Sequence, residues 1–300
     1  MLTRTDLNAT ALISATYQCF KELKNKNAVI YGAGGSLGSA VAKALAAAGA
    51  KVFLTGRSLV SVQKVADDIR ASGNTAEVDK VDALNEKEIN DHLQRTLQVA
   101  GTIDILFCAI DYQVVQNMNL IEMNVDEFVR PVMLAMQSQF LTSKAAAKIM
   151  MKQGSGVILS LTATPGGIGY PYTGGFAPAC AAIETFSKNL AAEMGAYGVR
   201  VVNIRSAGSP DSKVFKDAID NHPKEMEPIR RNMENDTMLK KLPMMEDIAN
   251  VAVFLASNLA GKITGVTIDV TCGTTAGLNY KVPRTATDLR RAGSTISLIE

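Results

Sequence analysis

Histidine and cysteine are scarce in this 300-residue chain: there are two histidines, His92 and His222, and four scattered cysteines, Cys19, Cys108, Cys180 and Cys272. None stands at metal-ligand spacing, which argues against a zinc site, and the cysteines are expected to be reduced thiols filling small spaces. A surplus of charge is missing too. The 31 basic and 29 acidic residues leave a formal net charge of +2, with no basic stripe and no interleaved aromatics, so nothing points to nucleic acid. No apolar run approaches a membrane span. The first residues carry Arg4 and Asp6 without an uninterrupted apolar segment, so neither a secretory signal nor an organelle presequence is expected, and a cytoplasmic location follows as an expectation. No Pro/Gly/Ser-rich linker or long charge run divides the chain. A hydrophobic content of 47% suffices for one large core, and a single domain is expected.

What is present is a strand, a glycine turn, a helix and a second strand over residues 27–57, NAVIYGAGGSLGSAVAKALAAAGAKVFLTGR. Asn27 to Tyr31 is a short apolar run of β-formers that stops at Gly32, where glycine lets the backbone bend and approach a ligand. From Ser36 to Ala48 small apolar residues recur at helical spacing, and Gly49 supplies the stop. A first helical turn built from Gly35, Ser36, Leu37 and Gly38 offers unpaired N–H groups and the positive end of a helix dipole, which suits a pyrophosphate. The second strand ends in Thr55-Gly56-Arg57-Ser58. An acid there would bond a ribose 2′-hydroxyl, whereas the planar fork of Arg57, with Ser58 beside it, can clamp a 2′-phosphate, so NADP(H) is expected over NAD(H).

The remaining chain continues the alternation. A helix is predicted over 60–71 and a third strand over 76–81, delivering Asp82 and Ala83 to the sheet's carboxyl edge, where Asp82 could accept from an adenine amino group or be a plain surface aspartate. A helix over 86–100 precedes the strand 103–109, apolar enough to be buried on both faces. A long helix over 126–152 is expected to break or bend near Pro131. Strand 156–161 leads into a glycine- and proline-rich loop and the helix 176–197. After strand 199–204, residues 211–242 form the most charged and least periodic segment and read as a mobile cover, with a lid placed over 208–243. The helix 246–257 and the strand 266–271 close the fold. Residues 1–25 form a polar extension in which Ala11 to Leu23 could make one amphipathic helix, 26–273 the nucleotide-binding domain, and 274–300 a polar tail, either disordered or laid over a partner subunit.

This order of strands and helices, the glycine loop, Thr55-Gly56-Arg57, Val81-Asp82, Asp104-Ile105-Leu106, the stretch Gly154 to Ser160, and Glu246 to Ala249 through Thr264-Gly265 resemble the short-chain dehydrogenase/reductase family over residues 26–273. The resemblance implies an α/β fold of Rossmann type, a doubly wound parallel sheet with helices on both faces. It also implies an oxidoreductase, a small-molecule substrate, a homo-oligomer (dimer or tetramer) and cofactor contacts from Ala109 and Ile110. The family opens with T-G-x-x-x-G-x-G; here Tyr31 stands for the threonine and Ser36 for the middle glycine, with Gly32 and Gly38 retained.

The catalytic positions depart from the family. Aligned on the fifth strand and the helix after it, Phe176 takes the tyrosine position, Cys180 the lysine, Ala163 the serine and Ala135 the asparagine. In the family the tyrosine protonates the oxygen that gains charge during hydride transfer, while the lysine lowers its pKa and holds the nicotinamide ribose. A phenyl ring donates nothing, and loss of a general acid costs ~10²–10⁴ in rate. Three readings stay open. Another group could supply the proton, with Tyr172 and Asp111 as candidates and Tyr170 and Tyr112 beside them. The substrate could need no strong acid, as with a conjugated alkene or an iminium. Or the chain could bind NADP(H) silently, as a sensor or scaffold. Against these stand plain structural roles: Tyr172 as a pocket wall, Asp111 as the cap of the following turn, and Cys180 as inert packing.

Overall fold

The run Asn27–Tyr31 is too short and too uniformly apolar to be anything but a strand covered on both faces, and its side chains divide accordingly. Ala28 and Ile30 enter one hydrophobic layer, Val29 and Tyr31 the other. A computed structural model of the protein describes residues 22–277. The expected N-terminal helix lies outside those residues except for Glu22 and Leu23, which form a turn, and of the tail only residues up to 277 are described.

The strands are β1 (Asn27–Tyr31), β2 (Lys51–Gly56), β3 (Ala76–Lys80), β4 (Ile105–Cys108), β5 (Gly156–Ala163), β6 (Val199–Ser206) and β7 (Thr267–Val270). They form one parallel sheet in the order β3-β2-β1-β4-β5-β6-β7. The order reverses between β1 and β4, and ligands of open α/β sheets bind in the crevice at such a switch point. The helices are α1 (Ser36–Ala47), α2 (Leu59–Ala71), α3 (Glu86–Ala100), α4 (Val125–Gln153), α5 (Phe176–Met194), α6 (Lys213–Asn221), α7 (Pro223–Asn235) and α8 (Met245–Ala256). Val41 and Leu45 of α1, Ile69 of α2 and Leu255 of α8 cover one face of the sheet; Ile89 of α3, Met150 of α4 and Met194 of α5 cover the other. No helix of the described residues is long and apolar enough to cross a membrane.

Beyond small shifts at the ends of β5, β6 and α5, three differences from expectation have a visible cause. β4 is shorter, because Ile103 N–H and C=O bond to the Gln153 side chain and not to a strand. α4 runs unbroken past Pro131, which sits in its second turn under an Asn124–Glu127 capping box; this near the N-terminus a proline removes only one intrahelical bond. Residues 211–242 are mostly helical. α6 is capped by Ser212, and α7 starts at Pro223 and carries Arg230–Glu234 and Arg231–Glu227 ion pairs. Neither helix contains a fully buried residue, but each has a half-buried apolar side, Phe215, Ala218 and Ile219 on α6 and Met226 and Met233 on α7, set among charges.

Candidate functional site

The turn after β1 is built so tightly that only glycine fits. Gly32 has φ +81°, and a Cβ there would lie 2.2 Å from the Ala109 carbonyl oxygen. The turn is tied to β2 by Gly32 N–H and Ala33 N–H, both donating to Thr55 O at 3.1 and 3.0 Å. Gly35 is the N-cap of α1 and has no side chain to cap it, and no acid occupies the first turn. The amides of Ser36, Leu37 and Gly38 therefore meet no side-chain acceptor, an arrangement ready for an anion. The Ser36 hydroxyl accepts from Lys213 N–H at 3.1 Å, so the segment after β6 rests on this turn.

A cleft of about 540 Å³ runs along the carboxyl edge from this turn. It brings together Gly32, Gly35, Arg57, Ser58, Asp82, Ala83, Ala109 and Ile110, with Asp111 at its inner end. Ser36, Leu37 and Gly38 are not on its wall. Leu37 packs on the core and Gly38 is buried within α1. Arg57 is exposed and forms no ion pair among the described residues. Beside it Ser58 is the N-cap of α2 and makes no capping bond with its hydroxyl. Asp82 accepts from Leu84 N–H at 3.0 Å through Oδ1 while its own N–H donates to Glu88. It shapes a turn and still faces the cleft.

The positions aligned with the family's catalytic set lie elsewhere. Ala163 ends β5, Phe176 begins α5, Cys180 is fully buried one turn later, and Ala135 is fully buried in α4. Tyr112, Ala135, Ala179 and Ile183 form a small apolar cluster against which Phe176 and Ile110 pack. Burial pushes the Cys180 thiol up to about 12, and Glu184 adds to the shift, so it holds its proton and fills space. Tyr172 has φ +62°, is exposed, and engages Asn117 N–H only through its carbonyl, at 2.8 Å; it is not on the cleft wall. Tyr112 is turned inward, its hydroxyl 3.5 Å from Gln139 Nε2, and burial pushes it far up. Tyr170 is raised by burial and by the negative charge of Asp236. Asp111 accepts from Gln113 N–H at 3.0 Å through Oδ1, capping its turn, and it lines the cleft as well.

Two buried polar groups escaped the sequence reading. Glu184 of α5 takes Thr162 Oγ1 at 2.9 Å and Arg205 Nε at 3.0 Å on one oxygen and Arg205 Nη2 on the other; Arg205 Nη1 reaches Asp269 at 3.1 Å. The loop after β5 lies directly on this pair, since a Cβ on Gly167 would come within 2.4 Å of Arg205 Nη1. α5 carries Glu184, Lys188 and Glu193 and β6 carries Arg200 and Arg205, so charge on these elements did not by itself single out the pair. The second group is Tyr31, whose hydroxyl meets His92 Nδ1 at 3.4 Å while His92 Nε2 meets Thr96 Oγ1 at 3.4 Å. Burial pulls the His92 imidazole down to about 4.

Comparison with known proteins agrees with this architecture. The family model described as enoyl-(acyl carrier protein) reductase matches residues 32–275. The 3-oxoacyl-(acyl-carrier-protein) reductase FabG of Escherichia coli (strain K12) is 28% identical over 250 residues, 83% of this chain and 97% of that protein. An uncharacterized oxidoreductase of Bacillus subtilis (strain 168), YxbG, is 29% identical over 246 residues, 81% of this chain and 88% of that one. Among solved structures, a short-chain type dehydrogenase/reductase from Mycobacterium marinum superposes with a TM-score of 0.75 at 25% identity, covering 87% of this chain and 99% of its own. The sheet order, the glycine turn at the switch point and a family match spanning nearly the whole described fold make this chain a member of the short-chain dehydrogenase/reductase family, whose oxidoreductases use a nicotinamide cofactor.

Proposed function

We propose that the protein is an NADP(H)-dependent oxidoreductase with a non-standard active site that does without the family's Ser-Tyr-Lys set, acting on a small molecule. The observation that carries the cofactor preference is Arg57, without an ion pair among the described residues, beside Ser58, whose hydroxyl makes no capping bond at the start of α2. A guanidinium fork, a free hydroxyl and a helix N-terminus together match a 2′-phosphate. Gly32, Gly35 and the first-turn amides of α1 would hold the pyrophosphate, Asp82 and Ala83 the adenosine, and Ala109 and Ile110 the inner ribose. A reduced nicotinamide bound there supplies a hydride to an unsaturated carbon. The protein's share of the chemistry is to orient the cofactor and to exclude water, since the Tyr112 hydroxyl is turned to Gln139 and Tyr172 lies off the cleft wall.

The apolar cluster around Ala135 and Phe176 favours a second reading, a catalytically silent NADP(H)-binding sensor or scaffold. Self-association as a dimer or tetramer accompanies either reading; exposed Met133 and Phe140 of α4, the latter edge-on to Phe186, offer an apolar face for it. Fluorescence titration with NADPH and NADH, followed by oxidation against ketones, conjugated enones and imines, tests the proposal. NADPH preference with turnover of enones or imines and not ketones is the expected result. Binding without any turnover would move the assignment to the silent reading, and absence of binding would end both.

A further inference from the structure

Among the described residues one buried side-chain polar atom has no hydrogen-bond partner, the hydroxyl oxygen of Ser209. The residue is only 3% exposed, and an unpaired buried hydroxyl is costly enough to call for a reason. Its place in the fold supplies one. The chain leaves β6 at Ser206 and reaches the turn after β1 at Lys213, whose N–H donates to the Ser36 hydroxyl at 3.1 Å. Because β5 and β4 lie between β6 and β1, residues 207–212 cross three strand spacings of the sheet's carboxyl edge, about 14 Å. Asp211 fastens the crossing by accepting from the N–H of Met245, the first residue of α8, at 3.1 Å. Ser209 stands midway, and its neighbour shows which way it faces. A Cβ on Gly208 would lie 2.8 Å from Met233 Cε and 2.9 Å from Phe215 Cε2, so that position faces α7 and α6. No turn or bend intervenes over 207–209, and successive side chains of an extended chain point to opposite sides. Ser209 therefore faces away from those two helices, toward the edge where β4 and β5 end.

Resting on the reading that the cleft holds NADP(H), we infer that Ser209 is a cofactor-binding residue whose hydroxyl pairs with the carboxamide of the nicotinamide ring. With the pyrophosphate at the turn after β1 and the inner ribose at Ala109 and Ile110 beyond β4, the next group inward would meet the crossing. A hydroxyl donates one hydrogen bond and accepts others, and a carboxamide offers both an acceptor oxygen and a donor NH2. Ser209 is not on the cleft wall while the crossing is seated on the turn through Lys213 and Ser36. A pyrophosphate on the amides of Ser36, Leu37 and Gly38 competes with that seat, and the unpaired hydroxyl lowers the cost of giving it up, because the seated form leaves it unsatisfied. Two effects of opposite sign follow from this one group: it weakens the seated form and strengthens the cofactor complex.

The test combines binding with stability, in the full-length wild type and in Ser209→Ala. NADPH and 2′-phospho-ADP-ribose, which lacks the nicotinamide ring, are titrated calorimetrically, and thermal unfolding is followed without either. NADPH should bind the variant about tenfold more weakly, the scale of one hydrogen bond between neutral groups, and 2′-phospho-ADP-ribose no more than about twofold more weakly. The unfolding midpoint should rise by about 2 °C, because the variant no longer buries an unpaired hydroxyl. Equal losses for the two ligands, no loss for NADPH, or a lowered midpoint would each overturn the inference while leaving the cofactor assignment intact. Failure of NADPH to bind the wild type, measured beforehand, would instead overturn the reading on which it rests.

Discussion

The two halves of the sheet's carboxyl edge treat polar groups in opposite ways. On the β1–β2 side they are left open among the described residues: Arg57 has no ion pair, Ser58 caps nothing, and the first-turn amides of α1 meet no side chain. On the β5–β6 side nearly every polar group is closed into a partner. Glu184 holds Arg205 and Thr162, Arg205 holds Asp269, and Ser160 holds both Asn203 and Ser187. Unsatisfied groups at a cleft wait for a ligand, whereas satisfied ones hold a scaffold in place. The difference teaches that in this protein binding and structural rigidity have been assigned to different strands, and substitutions on the two sides should divide along that line.

The sharpest break comes from Glu184→Ala, which leaves Arg205 nearly buried beside a single remaining carboxylate. Unfolding by urea should show a loss of about 4 kcal/mol, typical of a broken buried pair, with NADPH affinity in the folded fraction little changed. A smaller effect is expected from acid. The folded protein keeps His92 neutral, burial holding its pKa down at about 4, below the ordinary imidazole value of about 6.5, so the unfolded chain takes up a proton first as the pH falls. Stability is therefore complete above about pH 6.5 and is lost on going down toward pH 4, by about 3 kcal/mol from this residue. His92→Gln should flatten that part of the stability–pH curve, which repeated denaturation between those limits would reveal; an unchanged slope would remove His92 from the account.

Arg200→Ala should cost about 2 kcal/mol, because its guanidinium bonds Leu255 O at 2.6 Å and Ser257 O at 3.3 Å and so closes the end of α8. Thermal unfolding would register it. Ser58→Ala lies on the open side and is expected to cost under about 0.5 kcal/mol of stability, since no capping bond is lost, while weakening NADPH several-fold. A stability loss as large as that of Arg200→Ala would erase the distinction between the two sides.

Much of the fold was legible because its elements obey simple periods. The strands Asn27–Tyr31 and Ile105–Cys108 are uniformly apolar, and α1 and α2 carry their buried residues at helical spacing between glycine stops. The glycine turn was equally plain, since its residues are fixed by backbone geometry that local sequence encodes. What could not be read were contacts made across long separations. Glu184 and Arg205 meet through sheet order, Tyr31 and His92 through the packing of α3, and the inward turn of Tyr112 depends on small residues far along the chain at Ala135 and Ala179. The helices α6 and α7 were missed for a different reason: their half-buried apolar residues, Phe215 and Ile219 on one and Met226 and Met233 on the other, are few and set among charges.

The most direct test of the central claim is the ratio of NADPH to NADH affinity in the wild type and in Arg57→Glu, measured by fluorescence titration. A bidentate charge-assisted contact predicts a wild-type preference for NADPH of roughly tenfold to a hundredfold, reversed in the variant with the protein still folded. Equal affinities in the wild type, or a preference that survives the substitution, would contradict the account.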